Sequence, residues 1–388
     1  MINKNIIIGI DASNIRAGGG VTHLSELLKA TNPKAGNFDK IVIWGPKKTL
    51  DCIVDKEWIL KKNHPVHEKN YILRAWWQWK ELNKLAIGEK CSILFIPGGS
   101  FFSRFEPIVN MSQNMLPFDW KELRRYGFSL FTMKLLLLHF VQSMSFKKAK
   151  GIIFLTEHSR NAILSIINNK RKNCIVIPHG IDERFFCKPR EQKPISKYDF
   201  SNPFRFVYIS TIEPYKHQWN VVKAVCKLRE NNIPVALDLY GASKAPLYNE
   251  LKLSINSCES AEGSIKYHGL AKHDNIHKLY TNSDASIFAS SCENLPIILL
   301  ESMASGLPIA CSNIEPMPSI LKDAGLYFNP LDVDSIYNAL LILIHNSSLR
   351  QSNSIKSHKI AHEYSWDRCS HDTFEYLNKN ATLINNKH

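Results

Sequence analysis

Residues 285–312, ASIFASSCENLPIILLESMASGLPIACS, read as strand, loop, helix and strand in turn. Ala285 to Ala289 is an apolar, β-favouring run. Ser290 to Leu295 follows as a loop, and Pro296 suits the first helical position, where a missing N–H leaves no hydrogen bond unmade. Gly306 ends the helix, and Leu307 to Cys311 is the next strand. The stretch sets two carboxylates, Glu293 and Glu301, around a helix start that follows a buried strand. Eight helical steps would leave them about 80° apart and about 12 Å along the axis, a poor arrangement for one small ligand. With Glu293 in the loop and Glu301 in the early helix, one elongated polyol spans both, because carboxylates accept hydrogen bonds from hydroxyl pairs. The plainer reading is an acid at a helix start and a solvated glutamate.

Outward from this stretch, short β-rich runs alternate with helical patterns twice over. In the first half they are Ile6 to Ile10, Ile41 to Trp44, Ile93 to Ile96, Ile152 to Leu155 and Cys174 to Ile177. In the second they are Phe206 to Ile209, Val235 to Tyr240, Ile265 to His268, Ala285 to Ala289 and Leu307 to Ala310. Such alternation implies α/β architecture, with parallel sheets covered by helices and ligands at the carboxyl ends of strands. A chain of 388 residues exceeds what one core usually fills, so two Rossmann-like domains facing a central cleft are expected. The boundary is expected within Glu183 to Asn202, which is charged, holds two prolines and lacks periodicity.

The pair Glu293 and Glu301, followed by Ala304-Ser305-Gly306-Leu307-Pro308, resembles the donor-site signature of retaining family-4 glycosyltransferases, the glycosyl transferases group 1, which have the GT-B fold. Four more segments match that family in order. They are Gly18-Gly19-Gly20 after the opening strand; Val176 to Asp182, VIPHGID; Phe206 to Lys216, FVYISTIEPYK; and Tyr364-Ser365-Trp366. Together they span nearly the whole chain. The resemblance implies an N-terminal acceptor-binding domain over 1–187, a donor-binding domain over 188–365, and a closing helix at about 366–380 that packs back on the first.

The same resemblance assigns roles. Lys216 matches a phosphate lysine, and the helix expected from Asn220 to Arg229 adds backbone N–H groups and its dipole. Glu293 matches the glutamate beside the donor hexose, and Glu301 the one on the ribose hydroxyls. Asn294 and Leu295 offer backbone N–H groups to the donor, while Ser210, Thr211 and Gly241 lie at strand ends beside the nucleotide. Gly18, Gly19 and Gly20 let backbone approach a phosphate or the acceptor. Two positions depart from the pattern. Thr211 stands where the family usually has an arginine, which leaves His217 as a stand-in cation, and Gln113-Asn114 replaces a His-Asp pair. Neither amide acts as a base at neutral pH, so their role is hydrogen bonding to sugar or acceptor. His179 reads equally well as structural or functional.

Composition narrows the partners. The net charge of +14 is dispersed, with no RNA-binding or helix-turn-helix signature; an anionic membrane surface or pyrophosphate-bearing substrates explain it as well, with the membrane surface ranked first, plain solvation second and nucleic acid last. Tyr126 to Ser145 is apolar between basic flanks, but Lys134 and His139 interrupt it; a core or interfacial helix is expected rather than a span. Trp76, Trp77 and Trp79 form either an interfacial anchor or a helix face. The start MINKNIIIGIDAS lacks a signal-peptide pattern. Nine scattered cysteines suggest no disulfide framework, hence a reduced, cytoplasmic setting. No metal-ligand spacing is present, and Asp332-Val333-Asp334 reads as a helix cap.

The resemblance implies metal-independent, retaining transfer of a hexose from GDP-mannose or a UDP-hexose, without a further cofactor. The implied acceptor is an oligosaccharide or growing lipid-linked surface polysaccharide such as O-antigen, at the inner face of the membrane. The alternatives are an epimerase or phosphorylase of the same architecture, or a non-catalytic sugar-nucleotide-binding module.

Overall fold

A computed structural model describes residues 6–169, 173–258 and 263–382. The chain divides into two compact units. One holds the described residues of Met1–Leu123, Gly127–Gly180 and Ser365–His388, the other Arg124–Tyr126 and Ile181–Tyr364. The second unit thus begins at Ile181, ahead of the 188 set by sequence, and takes in a three-residue segment from far upstream.

The first unit is built on seven parallel strands: β1 (Ile7–Asp11), β2 (Lys40–Trp44), β3 (Ile59–Lys62), β4 (Ile93–Ile96), β5 (Ile108–Met111), β6 (Gly151–Phe154) and β7 (Cys174–Val176). Their order is β3-β2-β1-β4-β5-β6-β7. Gly9 of β1 lies opposite Val42 and Leu94, and a Cβ there would overlap the Leu94 side chain. Two of these strands escape the sequence reading. β3 is a half-exposed edge ending in two lysines, and β5 carries Asn110, buried because its amide donates to Gly99 O at 3.0 Å.

Helix Trp366–Thr382 completes this unit. Its Ser370 hydroxyl donates to Leu27 O at 3.2 Å, its Asn378 amide donates to Gly36 O at 2.6 Å, and Phe374 packs on Phe38. Gly180 is required by a close approach, since a Cβ there would overlap the backbone nitrogen of Trp366. The closing helix, expected at about 366–380, runs to Thr382, and the residues after it lie outside the described ones.

The second unit has six parallel strands: β8 (Phe204–Ile209), β9 (Val235–Tyr240), β10 (Ile265–Tyr267), β11 (Ala285–Phe288), β12 (Ile309–Ser312) and β13 (Leu326–Phe328). Their order, β10-β9-β8-β11-β12-β13, is the doubly wound arrangement again. β13 escapes the sequence reading because it is a three-residue edge. Phe206, Val207, Ile287 and Ala310 are fully buried, as strands covered on both faces require.

The quoted stretch folds as strand, loop, helix and strand, but Pro296 caps helix Ile297–Ala304 rather than opening it. Asp332 caps helix Val333–His345, accepting from the backbone N–H groups of Asp334 and Ser335. The cysteine expectation is corrected: Cys226, on helix Gln218–Glu230, and Cys258, just after helix Ala245–Asn256, form a disulfide that no sequence motif marks. Among the described residues no helix is long and apolar enough to cross a membrane.

Candidate functional site

In a doubly wound sheet the crevice lies where strand order reverses, at the carboxyl ends of the two strands flanking that point. In the second unit those strands are β8 and β11. β8 runs into Ser210 and Thr211, then a 3₁₀ turn Pro214–Lys216, then helix Gln218–Glu230. β11 runs into the Ser290–Leu295 loop and then helix Ile297–Ala304.

Lys216 and Glu293, 77 positions apart, meet across this reversal as an ion pair. Only 7% of Lys216 is exposed, and its ammonium lies 5.1 Å from the Tyr215 ring centroid and 5.3 Å from that of Phe288. A lysine this buried persists because the carboxylate offsets the loss of water. Three hydrogen bonds fix the loops. Tyr208 Oη donates to Lys216 O at 2.6 Å, Ser291 N donates to Tyr215 O at 2.8 Å, and His217 Nε2 lies 2.8 Å from Ser291 Oγ.

His217 does not serve as the missing cation. Burial pushes its pKa down to about 4, assisted by nearby Arg125, so the ring is neutral at neutral pH. Its left-handed backbone, φ 50°, makes the sharp corner between turn and helix. Thr211 is exposed, and its carbonyl accepts from Gln218 Nε2 at 2.8 Å. Arg125 is a cation near His217 that sequence reasoning missed. It belongs to Arg124–Tyr126, held in the second unit, where Tyr126 Oη donates to Glu213 Oε2 at 3.2 Å. No local pattern links residue 125 to residue 217.

Glu301 sits in the second turn of helix Ile297–Ala304 with 6% of its surface exposed. Burial pushes its pKa up to about 8, opposed by Arg184 and a hydrogen bond with Tyr280. Its Oε2 has no hydrogen-bond partner among the described residues, so it is a buried acceptor with capacity for a ligand hydroxyl. Asn294 and Leu295, both buried, lie just ahead of the helix. Ser210 and Gly241 meet at the ends of β8 and β9, where φ is 151° at Gly241 and a Cβ would overlap Ser210 O.

The remaining candidates lie in the first unit. Gly18 has φ 67° and precedes helix Gly19–Lys29; its carbonyl accepts from Val21 N at 3.0 Å and Thr22 N at 3.3 Å. A Cβ on Gly20 would come within 3.2 Å of Gln113 Oε1, and Gln113 Nε2 lies 3.3 Å from His23 Nδ1. Asn114 is exposed and its carbonyl accepts from Leu116 N at 3.0 Å, so it shapes the turn. His23, unmarked in the sequence, stacks on His179 at 4.4 Å, and His179 stacks on Trp366 at 5.7 Å. Burial holds His23 at about 3 and His179 well below its usual value, so both rings pack as neutral groups. His371, Asp372 and Glu375 on helix Trp366–Thr382 are the grouping of potential metal ligands among the described residues, and they lie in the unit that lacks Lys216 and both glutamates.

Residues 190–359 match the family model described as glycosyl transferases group 1. O-antigen chain mannosyltransferase B of Escherichia coli is 25% identical over 234 residues, which are 59% of this chain and 60% of that protein. UDP-Gal:alpha-D-GlcNAc-diphosphoundecaprenol alpha-1,3-galactosyltransferase of Escherichia coli is 25% identical over 43% of this chain and 44% of its own length. The chain therefore spans 60% or less of these two relatives. The solved structure of Anabaena Alr3699/HepE in complex with UDP is 16% identical and superposes with a TM-score of 0.71 over 96% of this chain and 100% of that one. At that identity the likeness shows the fold, which is GT-B.

Proposed function

We propose, from the match of residues 190–359 to the family model of glycosyl transferases group 1, that the protein moves a hexose from a nucleotide diphosphate sugar to a growing lipid-linked surface polysaccharide such as O-antigen. The observation that carries this is the Lys216–Glu293 pair across the strand reversal, with buried Glu301 on the next helix. A diphosphate gives the Lys216 ammonium a second anion, and the helix start behind it adds N–H donors. Glu293 then orients hexose hydroxyls and stabilises positive charge developing on the ring. Glu301 receives the ribose diol.

This reading retains the α configuration and needs no metal, because fixed cations neutralise the leaving group. Arg125, whose field reaches His217, supplies the charge that Thr211 lacks. Gln113, beside Gly20, hydrogen-bonds a sugar or the acceptor. The two relatives' names, one an O-antigen enzyme and one that names a diphosphoundecaprenol acceptor, support a lipid-linked acceptor.

The deciding experiment is a thermal-shift screen of the full chain against GDP-, UDP- and dTDP-sugars without added metal, with Glu301→Ala in parallel. A donor at about 100 times its Kd stabilises by about 2.7 kcal/mol, a shift of several degrees, in the wild type alone. No shift with any donor sinks the reading, and donor binding without turnover on lipid-linked acceptors favours a binding module. Arg125→Gln is expected to lower turnover about 10²-fold, with Arg124→Gln as its neighbouring control. Equal kinetics for the two variants remove Arg125 from the site.

A further inference from the structure

Helix Leu130–Lys148 is apolar on both faces. Its inner face buries Leu135, Gln142, Ser145 and Phe146 in the first unit. Its outer face leaves Leu130 86%, Met133 67% and Phe140 62% exposed, together with Leu137 and Met144. These five recur every three or four residues and, at about 100° per residue, fall within an arc of about 80°. The stripe runs from Leu130 to Met144, and Phe128, just ahead of the helix, is also exposed. A contiguous apolar stripe on an ordinary water-facing helix is unfavourable, so something covers it.

Charge decides between occupants. The helix carries Lys134, Lys147 and Lys148 and no Asp or Glu. By the same geometry Lys134 and Lys147 fall on opposite flanks of the stripe. A second copy laid along this seam would bring its own Lys134 and no Asp or Glu of the same helix. An anionic lipid surface answers both features, with acyl boundary for the stripe and headgroups for its flanks. A second exposed apolar group lies on a helix that abuts the same loop. Ser145 of this helix bonds with Phe101, while Tyr71 of helix Tyr71–Trp77 packs on Phe102, so both helices abut one loop. Trp76 on that second helix and Trp79 just after it are exposed, and Lys80 lies 4.7 Å from the Trp76 ring centroid. Indole and lysine together suit the membrane–water interface.

We infer that the outer face of helix Leu130–Lys148 is the surface by which this protein lies on an anionic membrane, in the plane of the interface and without crossing it. The inference rests on the reading of a lipid-linked acceptor, which requires the enzyme to work at that surface. The test is co-sedimentation of the full chain with phosphatidylglycerol vesicles and with phosphatidylcholine vesicles. The expected result is binding to the anionic vesicles that weakens in high salt, falls at least tenfold in Leu137→Glu/Phe140→Glu, and loses its anionic preference in Lys134→Glu. The variants should keep the wild-type thermal shift with a nucleotide sugar, which certifies their fold. Wild-type protein that ignores anionic vesicles overturns the inference, as does a double variant that binds undiminished. A wild-type dimer dissociated by Leu137→Glu/Phe140→Glu overturns it in favour of a second copy. A missing donor shift refutes the glycosyltransferase reading and leaves the vesicle result standing.

Discussion

Lys216→Met is expected to lower turnover by about 10²–10³ and to unfold at a markedly lower urea concentration than the wild type, whereas Lys216→Met/Glu293→Leu loses transfer at least as severely with much of the stability restored. The single substitution leaves the Glu293 carboxylate largely buried without its counter-charge. Breaking a buried pair from one side costs about 3–5 kcal/mol, and replacing both partners with apolar groups of similar size is often near neutral. Glu293 keeps some contact with water, so the lower end of that range applies, and the Cm should fall without a change in m. Loss of one charge from the transition-state environment lowers turnover by about 10²–10³. The two readouts separate the roles. A double variant as unstable as the single means the pair is not coupled in folding, and a single variant that keeps turnover within a few-fold of wild type places the chemistry elsewhere.

The sequence made that pair nameable but not visible as a pair. Lys216 and Glu293 each follow a buried strand, and both strands are legible because mostly apolar residues covered on both faces leave a nearly continuous run. Their meeting depends on β8 and β11 being neighbours, which is a property of strand order rather than of any local pattern. The same holds for what was missed. β5 is hidden by Asn110, whose burial makes sense only once Gly99 O is known to lie beside it. Arg125 is hidden because the chain carries it in the first half and places it in the second unit. His217 looked like a cation because a histidine's charge follows its burial, and burial is not written in its neighbours along the chain. The stripe on helix Leu130–Lys148 is legible as apolar residues, but which half of them faces inward is fixed by what the first unit packs against it.

Glu301 should make both stability and donor affinity depend on pH. With its folded pKa at about 8 against an ordinary glutamate value of about 4.3, the folded chain holds a proton that the unfolded chain has lost across the interval between them. Stability from this group is therefore fully present below about pH 4, falls by about 1.4 kcal/mol per pH unit above it, and is gone once pH has risen through about 8. Glu301→Gln has no proton to lose, so its melting temperature relative to wild type should rise between pH 5.5 and pH 9, a difference of a few kcal/mol. Affinity should run the other way. A ribose diol donates to the ionised carboxylate, so donor binding favours the charged form, expels the proton, and strengthens with pH until about 8, where the free protein is already ionised. Calorimetry near pH 7 in buffers of different ionisation enthalpy should then show a proton released with each nucleotide bound, and Glu301→Gln should bind more weakly with no such release. The two slopes must oppose each other, because the same ionisation that the empty fold resists is the one the diol rewards. If wild type and variant keep identical pH slopes in both stability and affinity, Glu301 carries neither the buried proton nor the nucleotide.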